Sequence, residues 1–125
     1  MKRLILLLVV LLFTTSLFAQ NIDKLERLYS KGKYDEVITL GIKELKINSF
    51  HPKLNMIIGR AYTETQQFDK AIPYLEKGAI SEYNDRWVQA WSKKSLGVCY
   101  YYLNNFQKSE DLLNECIKLN ATENS

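Results

Sequence analysis

Residues 58–75 read IGRAYTETQQFDKAIPYL, and residues 96–113 read LGVCYYYLNNFQKSEDLL. Both segments begin with an aliphatic residue and a glycine, followed by a tyrosine, a phenylalanine and a leucine at the same offsets. A fainter upstream copy has Leu25, Leu28, Tyr34, Val37 and Gly41 at those offsets. Self-similarity at a fixed period indicates one supersecondary unit stacked on copies of itself. The sequence therefore predicts a repeat architecture with three units.

The apolar residues of these units recur at spacings of three and four, and no segment shows a sustained period of two. This pattern predicts amphipathic helices that leave their charged residues in water. The breaks between the helices are short and polar, as at 30–33, 65–67 and 104–105. Short connections join antiparallel helices. We therefore expect an all-α fold built from three antiparallel helix pairs.

Small residues within the copies resemble those of the tetratricopeptide-repeat (TPR) family, which pairs two helices in about 34 residues. Gly59, Ala71 and Gly78 match the pattern in the middle copy, and Gly97 and Cys116 match it in the last copy. A small residue where two helices cross lets their axes approach. The resemblance implies a short right-handed α-solenoid of about three TPR-like repeats, at approximately 20–50, 51–84 and 86–120.

The copies depart from this pattern at a few positions. Ser109 stands where the family has alanine, Leu25 stands where it has glycine, and Glu44 occupies a position that is usually small. The last copy also carries four extra residues between Ala79 and Trp91. These residues lengthen either the helix that contains Trp91 or the loop before it.

The first 19 residues have the order of a secretory signal peptide. Lys2 and Arg3 precede an unbroken apolar run at 4–13, and Ala19 lies at the expected cleavage site. The run is shorter than the roughly 20 residues needed to span a bilayer. We expect cleavage after Ala19, a repeat domain at 20–125, and a periplasmic or secreted protein with no stable membrane span after cleavage. The alternative is an uncleaved N-terminal anchor.

Loss of the leader also changes the charge balance. The whole chain has 17 basic and 14 acidic residues. Removing Lys2 and Arg3 leaves 15 basic residues and a net charge of +1. A nearly neutral domain lacks the excess of positive charge that is typical of nucleic-acid-binding proteins.

The sequence offers little for catalysis or cofactor binding. His51 is the only histidine, and the five glycines are isolated rather than clustered in a phosphate-binding loop. A metal site or a nucleophile–base pair needs several such groups that converge in space. We therefore expect a non-enzymatic protein with no cofactor and no metal.

Cys99 and Cys116 lie on the two helices of the last pair. Export to an oxidising compartment would let a disulfide between them persist. The favoured interpretation is instead that both are small buried hydrophobic residues that fill gaps between helices.

In the TPR family, the first helix of each pair lines a groove that holds peptides or partner helices. The resemblance places in that groove an aromatic and cationic set: Tyr29, Lys53, Met56, Arg60, Trp91, Lys94, Val98 and Tyr101. Such a surface suits an acidic segment or a chain-terminal carboxylate, with arginine and aromatic side chains as anchors. The asparagines of the family's known carboxylate clamp are absent at the corresponding positions.

Two functions follow from this reading. The first is a protein- or peptide-binding scaffold in the bacterial periplasm or secreted space. The second is a structural subunit that stacks through the open end of its solenoid into a homo-oligomer or an envelope complex. The second reading rests on Leu112, Leu113 and Ile117, which we expect near that open end, since terminal repeats need a polar outer face.

Overall fold

The computed structural model describes residues 1–80 and 85–121, and this part of the chain contains helices and no strand. The helices are α1 (Lys2–Ser30), α2 (Tyr34–Leu45), α3 (Pro52–Glu64), α4 (Phe68–Gly78), α5 (Arg86–Tyr102) and α6 (Phe106–Ala121). They pack as the pairs α1/α2, α3/α4 and α5/α6, which we call the first, second and third repeats. The predicted all-α repeat fold is confirmed. The predicted repeat ends at 81–84 and 122–125 lie outside the described residues.

The turn within each repeat is the same structure three times. The backbone N–H groups of Lys33, Gln67 and Asn105 donate to carbonyl oxygens five residues back, at 3.0, 2.9 and 2.8 Å. This bond closes a Schellman-type helix end, whose preceding residue takes a left-handed conformation. Gly32 does so at φ 75°, which glycine tolerates, whereas Gln66 and Asn104 adopt φ 60° and 62° with side chains present.

Helices approach most closely where the repeated glycines lie. A Cβ atom placed on Gly59 would lie 2.6 Å from Cγ of Leu75 and 3.1 Å from its backbone nitrogen. A Cβ on Gly97 would lie 2.8 Å from Cγ of Leu113. The glycines therefore permit the tight crossing of the two helices in the second and third repeats, as the sequence pattern predicts.

Ser109 shows why serine is accepted where alanine is expected. Its side chain is buried, and its hydroxyl donates a 2.6 Å hydrogen bond to the backbone carbonyl of Gly97 on α5. A buried hydroxyl is costly only when it lacks a partner. The serine therefore ties α6 to α5 at the crossing.

The hydrophobic core runs along the stack. One cluster joins the first two repeats to Val88 at the start of α5, and includes Leu25, Val37, Leu54 and Ile58. A second cluster lies between α4 and α5 and contains Ala71, Leu75, Leu96 and Cys99. Each repeat thus buries its apolar face against the next repeat, as expected for a solenoid.

The four extra residues of the last copy lengthen its first helix. Helix α5 has 17 residues, whereas the equivalent α3 has 13. Asp85 caps the N-terminus of α5 by accepting a 3.1 Å hydrogen bond from the backbone N–H of Val88. Of the two alternatives for the insertion, the longer helix is therefore the observed one.

Helix α1 runs without a break across the predicted cleavage site. Its apolar residues 4–13 are each more than half exposed, and packing against the repeat domain begins at Phe18, whose ring lies 5.2 Å from the ring of His51. By length and composition the 29-residue helix is long and apolar enough to cross a membrane, a test that an N-terminal signal sequence also passes. The apolar run at 4–13 is only part of this helix, and the absence of a stable membrane span stays a prediction. The boundary between residues 19 and 20 stays a prediction.

Candidate functional site

The first helices of the three repeats bring four side chains together at one point. The guanidinium group of Arg60 on α3 lies between two aromatic rings, 4.5 Å from the ring centre of Tyr29 on α1 and 4.1 Å from that of Trp91 on α5. The ammonium group of Lys94 lies 4.6 Å from the same Trp91 ring. We call these four residues the Trp91 cleft. Contacts between cations and aromatic faces at these distances are attractive.

The Trp91 cleft also contains a hydrogen bond between Tyr29 and a neighbouring acidic residue. The hydroxyl of Tyr29 donates a 3.0 Å hydrogen bond to a carboxylate oxygen of Glu64. Burial, partly opposed by the charge of Arg60, raises the pKa of Tyr29 to about 12, so this phenol is neutral and remains a donor. Within the described part of the chain, Arg60 forms no ion pair. Its guanidinium group contacts both rings, while no described carboxylate forms an ion pair with it.

Cavities flank Trp91 on two sides. One of about 310 Å³ is lined by Arg60, Phe68, Trp91, Lys94 and Tyr102, among others. Another of about 320 Å³ lies toward the first repeat and is lined by Glu26, Tyr29, Arg60, Trp87 and Trp91, among others. Each has the size of a small-ligand pocket, at the lower end of the usual range. Together they form a surface on which an extended chain has room for side chains on both sides of the indole.

Lys53 lies at the edge of the second cavity. Its ammonium group forms a 3.0 Å ion pair with Glu26 and lies 5.9 Å from the ring centre of Trp87. This cation already has an anionic partner, which makes it less available to a ligand than Arg60 or Lys94.

A search of the described residues finds no group of three or more His, Cys, Asp or Glu side chains placed to hold a metal ion. His51 has a structural role, because its Nδ1 accepts a 3.2 Å hydrogen bond from the backbone N–H of Leu54 and caps α3.

Comparison with known proteins agrees with this architecture. The family model described as "Tetratricopeptide repeat" matches residues 52–79 and 95–123. The fold is that of tetratricopeptide repeats. The matched residues belong to the second and third repeats, where the small-residue pattern is clearest.

Two known proteins show the extent of the likeness. The chain is 34% identical over 74 residues to anaphase-promoting complex subunit 8 of Dictyostelium discoideum, an alignment that covers 58% of this chain and 12% of that subunit. The crystal structure of the Yersinia enterocolitica type III secretion translocator chaperone SycD, in an alternative dimer, superposes with a TM-score of 0.71. It shares 17% identity and covers 83% of this chain and 76% of that chain.

The TPR-like fold brings together four of the eight residues predicted for the groove, namely Tyr29, Arg60, Trp91 and Lys94. Val98 lines the first cavity, and Lys53 lies at the margin of the second. Two of the remaining residues have other contacts. Met56 is fully buried between repeats, where Gly78 and Ser92 lie close to it, and it also lines the second cavity. Tyr101 contacts the rings of Tyr102 and Phe106, and its neighbour Tyr102 lines the cavity instead.

Sequence reasoning also missed two residues of the site. Trp87 lies one helical turn before Trp91, with ring centres 6.2 Å apart, and lines the second cavity. Its spacing of four from Trp91 is the signal that would have placed it there. Glu26 has no such signal, because its role depends on an ion pair with Lys53 from another helix.

The two cysteines are free and buried, so the alternative of a disulfide between them is not realised. The thiol of Cys99 lies 3.4 Å from the hydroxyl of Thr63 on α3, so it faces the preceding repeat rather than whatever follows the third. Burial raises the pKa of the Cys99 thiol, which disfavours the reactive thiolate. Both cysteines fit the favoured interpretation as packing residues.

Proposed function

We propose that this protein is a non-enzymatic binding module of the bacterial periplasm or secreted space. In this proposal the Trp91 cleft holds an extended acidic segment of a partner protein, or the carboxylate at its C-terminus. The detected repeats and the fold support a protein-interaction role, and the leader at 1–19 supports export.

The main support for the proposal is the environment of the Arg60 side chain, which contacts two aromatic rings and forms no ion pair with a described carboxylate. The rings of Tyr29 and Trp91 lie 4.5 and 4.1 Å from its guanidinium carbon, so much of the entropy of fixing a long side chain is lost before any ligand arrives. Its edge presents N–H donors in a rigid fork that matches a carboxylate. Lys94 adds a second positive charge across the same indole. An anionic group of the ligand therefore meets a preorganised donor.

The cavities on both sides of Trp91 supply the apolar part of such a site. An extended peptide places successive side chains on opposite sides of its backbone. When a glutamate side chain of the peptide faces Arg60, the side chains two positions before and after it point to the same side and lie over the two cavities. Aromatic or aliphatic groups at those positions fit the linings that Trp87, Trp91 and Tyr102 provide.

The test uses a fluorescent peptide with aromatic residues two positions before and two positions after a glutamate, compared with a version in which lysine replaces glutamate. We expect the full chain to bind the acidic peptide more tightly, as measured by fluorescence anisotropy. Truncation of a binding hot spot costs about 2 kcal/mol or more, roughly thirtyfold in affinity. Arg60→Ala and Trp91→Ala should each weaken binding by about that factor.

Arg27→Ala is the matched control, because Arg27 is an exposed arginine on α1 outside the cleft. It should leave the affinity unchanged, and circular dichroism should show the same helix content for all variants. An amidated C-terminus on the peptide separates recognition of the terminal carboxylate from recognition of glutamate side chains. Wild-type affinity in both cleft variants would exclude this site.

A further inference from the structure

The third repeat exposes positions that the second repeat buries. Leu75 on α4 is fully buried, while its equivalent in the next copy, Leu113 on α6, is 36% exposed. Phe68 stacks on Tyr102 with 4.8 Å between ring centres, whereas the equivalent Phe106 is 57% exposed. Helix α5 covers the second repeat at these points, and no described helix covers the third.

The same relation holds on the first helix of the pair. Thr63 contacts Cys99 of the following repeat, while its equivalent Tyr101 is 56% exposed. Ile117 on α6 is 64% exposed. We call Tyr101, Phe106, Leu113 and Ile117 the tail face. Four large apolar side chains on one end of a small domain exceed what scattered surface residues would give, and such patches mark interaction sites.

A cavity of about 240 Å³ adjoins the tail face between α5 and α6. It is lined by Trp87, Ala90, Trp91, Lys94, Cys116 and Asn120. In the second repeat, the corresponding place between Met56 and Gly78 receives the side chain of Ser92 from α5. The exposed surface at the end of the stack therefore has a shape similar to that of the surface of the second repeat that packs against α5.

The opposite end of the stack is polar. The positions on α1 that are equivalent to Ser92, Leu96 and Cys99 of α5 are Gln20, Lys24 and Arg27, and all three are exposed. Head-to-tail stacking of one copy on another would press Lys24 and Arg27 against the tail face. Removal of unpaired charges from water is expensive. A heterologous stack of copies is therefore disfavoured.

Pairing of two tail faces leaves Lys24 and Arg27 in water. A two-fold interface places the same patch on both partners, so apolar side chains meet apolar side chains. Helix α6 carries Glu110 in its N-terminal half and Lys118 in its C-terminal half. When two copies of α6 run antiparallel across a two-fold axis, these opposite charges approach each other.

We propose that two copies of this chain associate through their tail faces about a two-fold axis. The interface repeats, between molecules, the apolar packing of α4 on α5 within one molecule. This association requires neither Arg60 nor Tyr29, which lie outside the tail face, whereas Trp91 and Lys94 line the cavity beside it.

In-cell disulfide crosslinking of the full chain tests the geometry. Ile117→Cys should give a covalent species of twice the monomer mass on a non-reducing gel after oxidation. Lys24→Cys on the polar end is the control and should remain monomeric. The unsubstituted chain controls for Cys116, which is only 7% exposed. Absence of the Ile117→Cys dimer would overturn the proposal, as would a ladder of higher species in the Lys24→Cys, Ile117→Cys double variant.

Sedimentation of the purified protein gives an independent measurement. Ile117→Glu should convert the dimer to a monomer at concentrations where the unsubstituted chain is dimeric. Ile47→Glu is the matched control, since Ile47 is 77% exposed and lies elsewhere. Equal masses for the two variants would refute the tail face as the interface. Arg60→Ala should leave the dimer intact, so failure of the cleft proposal and failure of this one are distinguishable.

Discussion

Substitution of alanine at the two equivalent glycines, Gly59 and Gly97, should have different effects on stability. Both residues lie where the two helices of a repeat cross, and an added Cβ would approach a leucine in each case. At Gly59 that leucine is Leu75, which is fully buried and whose backbone nitrogen would lie 3.1 Å from the new atom. At Gly97 it is Leu113, which is 36% exposed, and the nearest backbone atom would lie 3.4 Å away.

The expected changes in the free energy of unfolding result from two opposing effects of the added methyl group. Alanine is favoured over glycine in a helix interior by about 1 kcal/mol. Overpacking of a core costs typically ~1–3 kcal/mol when the neighbours cannot move. Gly59→Ala should incur this cost and lower the free energy of unfolding by about 1 kcal/mol net. In Gly97→Ala the side chain of Leu113 can turn toward solvent, which avoids the overpacking cost. The helix preference for alanine should then decide the outcome, and the free energy of unfolding should stay unchanged or rise.

Thermal unfolding followed by circular dichroism measures the difference. A change of 1 kcal/mol shifts the melting temperature of a domain of this size by about 4–8 °C. Gly59→Ala should therefore melt several degrees below Gly97→Ala. Lys70→Ala, an exposed change on α4, should leave the melting temperature unaltered. Equal losses at Gly59 and Gly97 would refute the argument that the mobility of the facing leucine decides the cost.

Two further predictions concern the N-terminal half of the chain. Burial, and secondly the charge of Lys53, lowers the pKa of His51 below its ordinary 6.5, so the unfolded chain is protonated first as the pH falls. The free energy of unfolding should therefore decrease below about pH 6.5. His51→Asn, which keeps a cap acceptor for Leu54 but does not titrate, should flatten this dependence in urea melts, and an unchanged slope would contradict the role of His51. Mass spectrometry of the exported protein should find Gln20 as its first residue, whereas an intact Met1 in a soluble cytoplasmic fraction would contradict export.

Much of the fold was predictable because the information is local and repeated. Periodicity of three and four specifies each helix, and the recurring glycines specify where paired helices cross. The left-handed residues Gln66 and Asn104 carry little local signal, because their conformation is imposed by the same turn that Gly32 forms. The sequence did not determine the length of α5, because the four inserted residues could belong either to this helix or to the loop before it.

The site was predictable only to the level of a helix face. Successive residues of a helix point about 100° apart, so a shift of one position moves a side chain from the groove to another surface. That is why Tyr102, not Tyr101, lines the cavity.

Sequence alone determined that this protein is a short stack of helix pairs with aromatic and cationic residues on its first helices. The tertiary structure decided that Arg60 lies between Tyr29 and Trp91, and that the tail face differs from the polar opposite end. The physical reason is distance along the chain. Helix formation and pairing depend on neighbours within one repeat, whereas the cleft and the end surfaces depend on the rotation and register of separate repeats against one another.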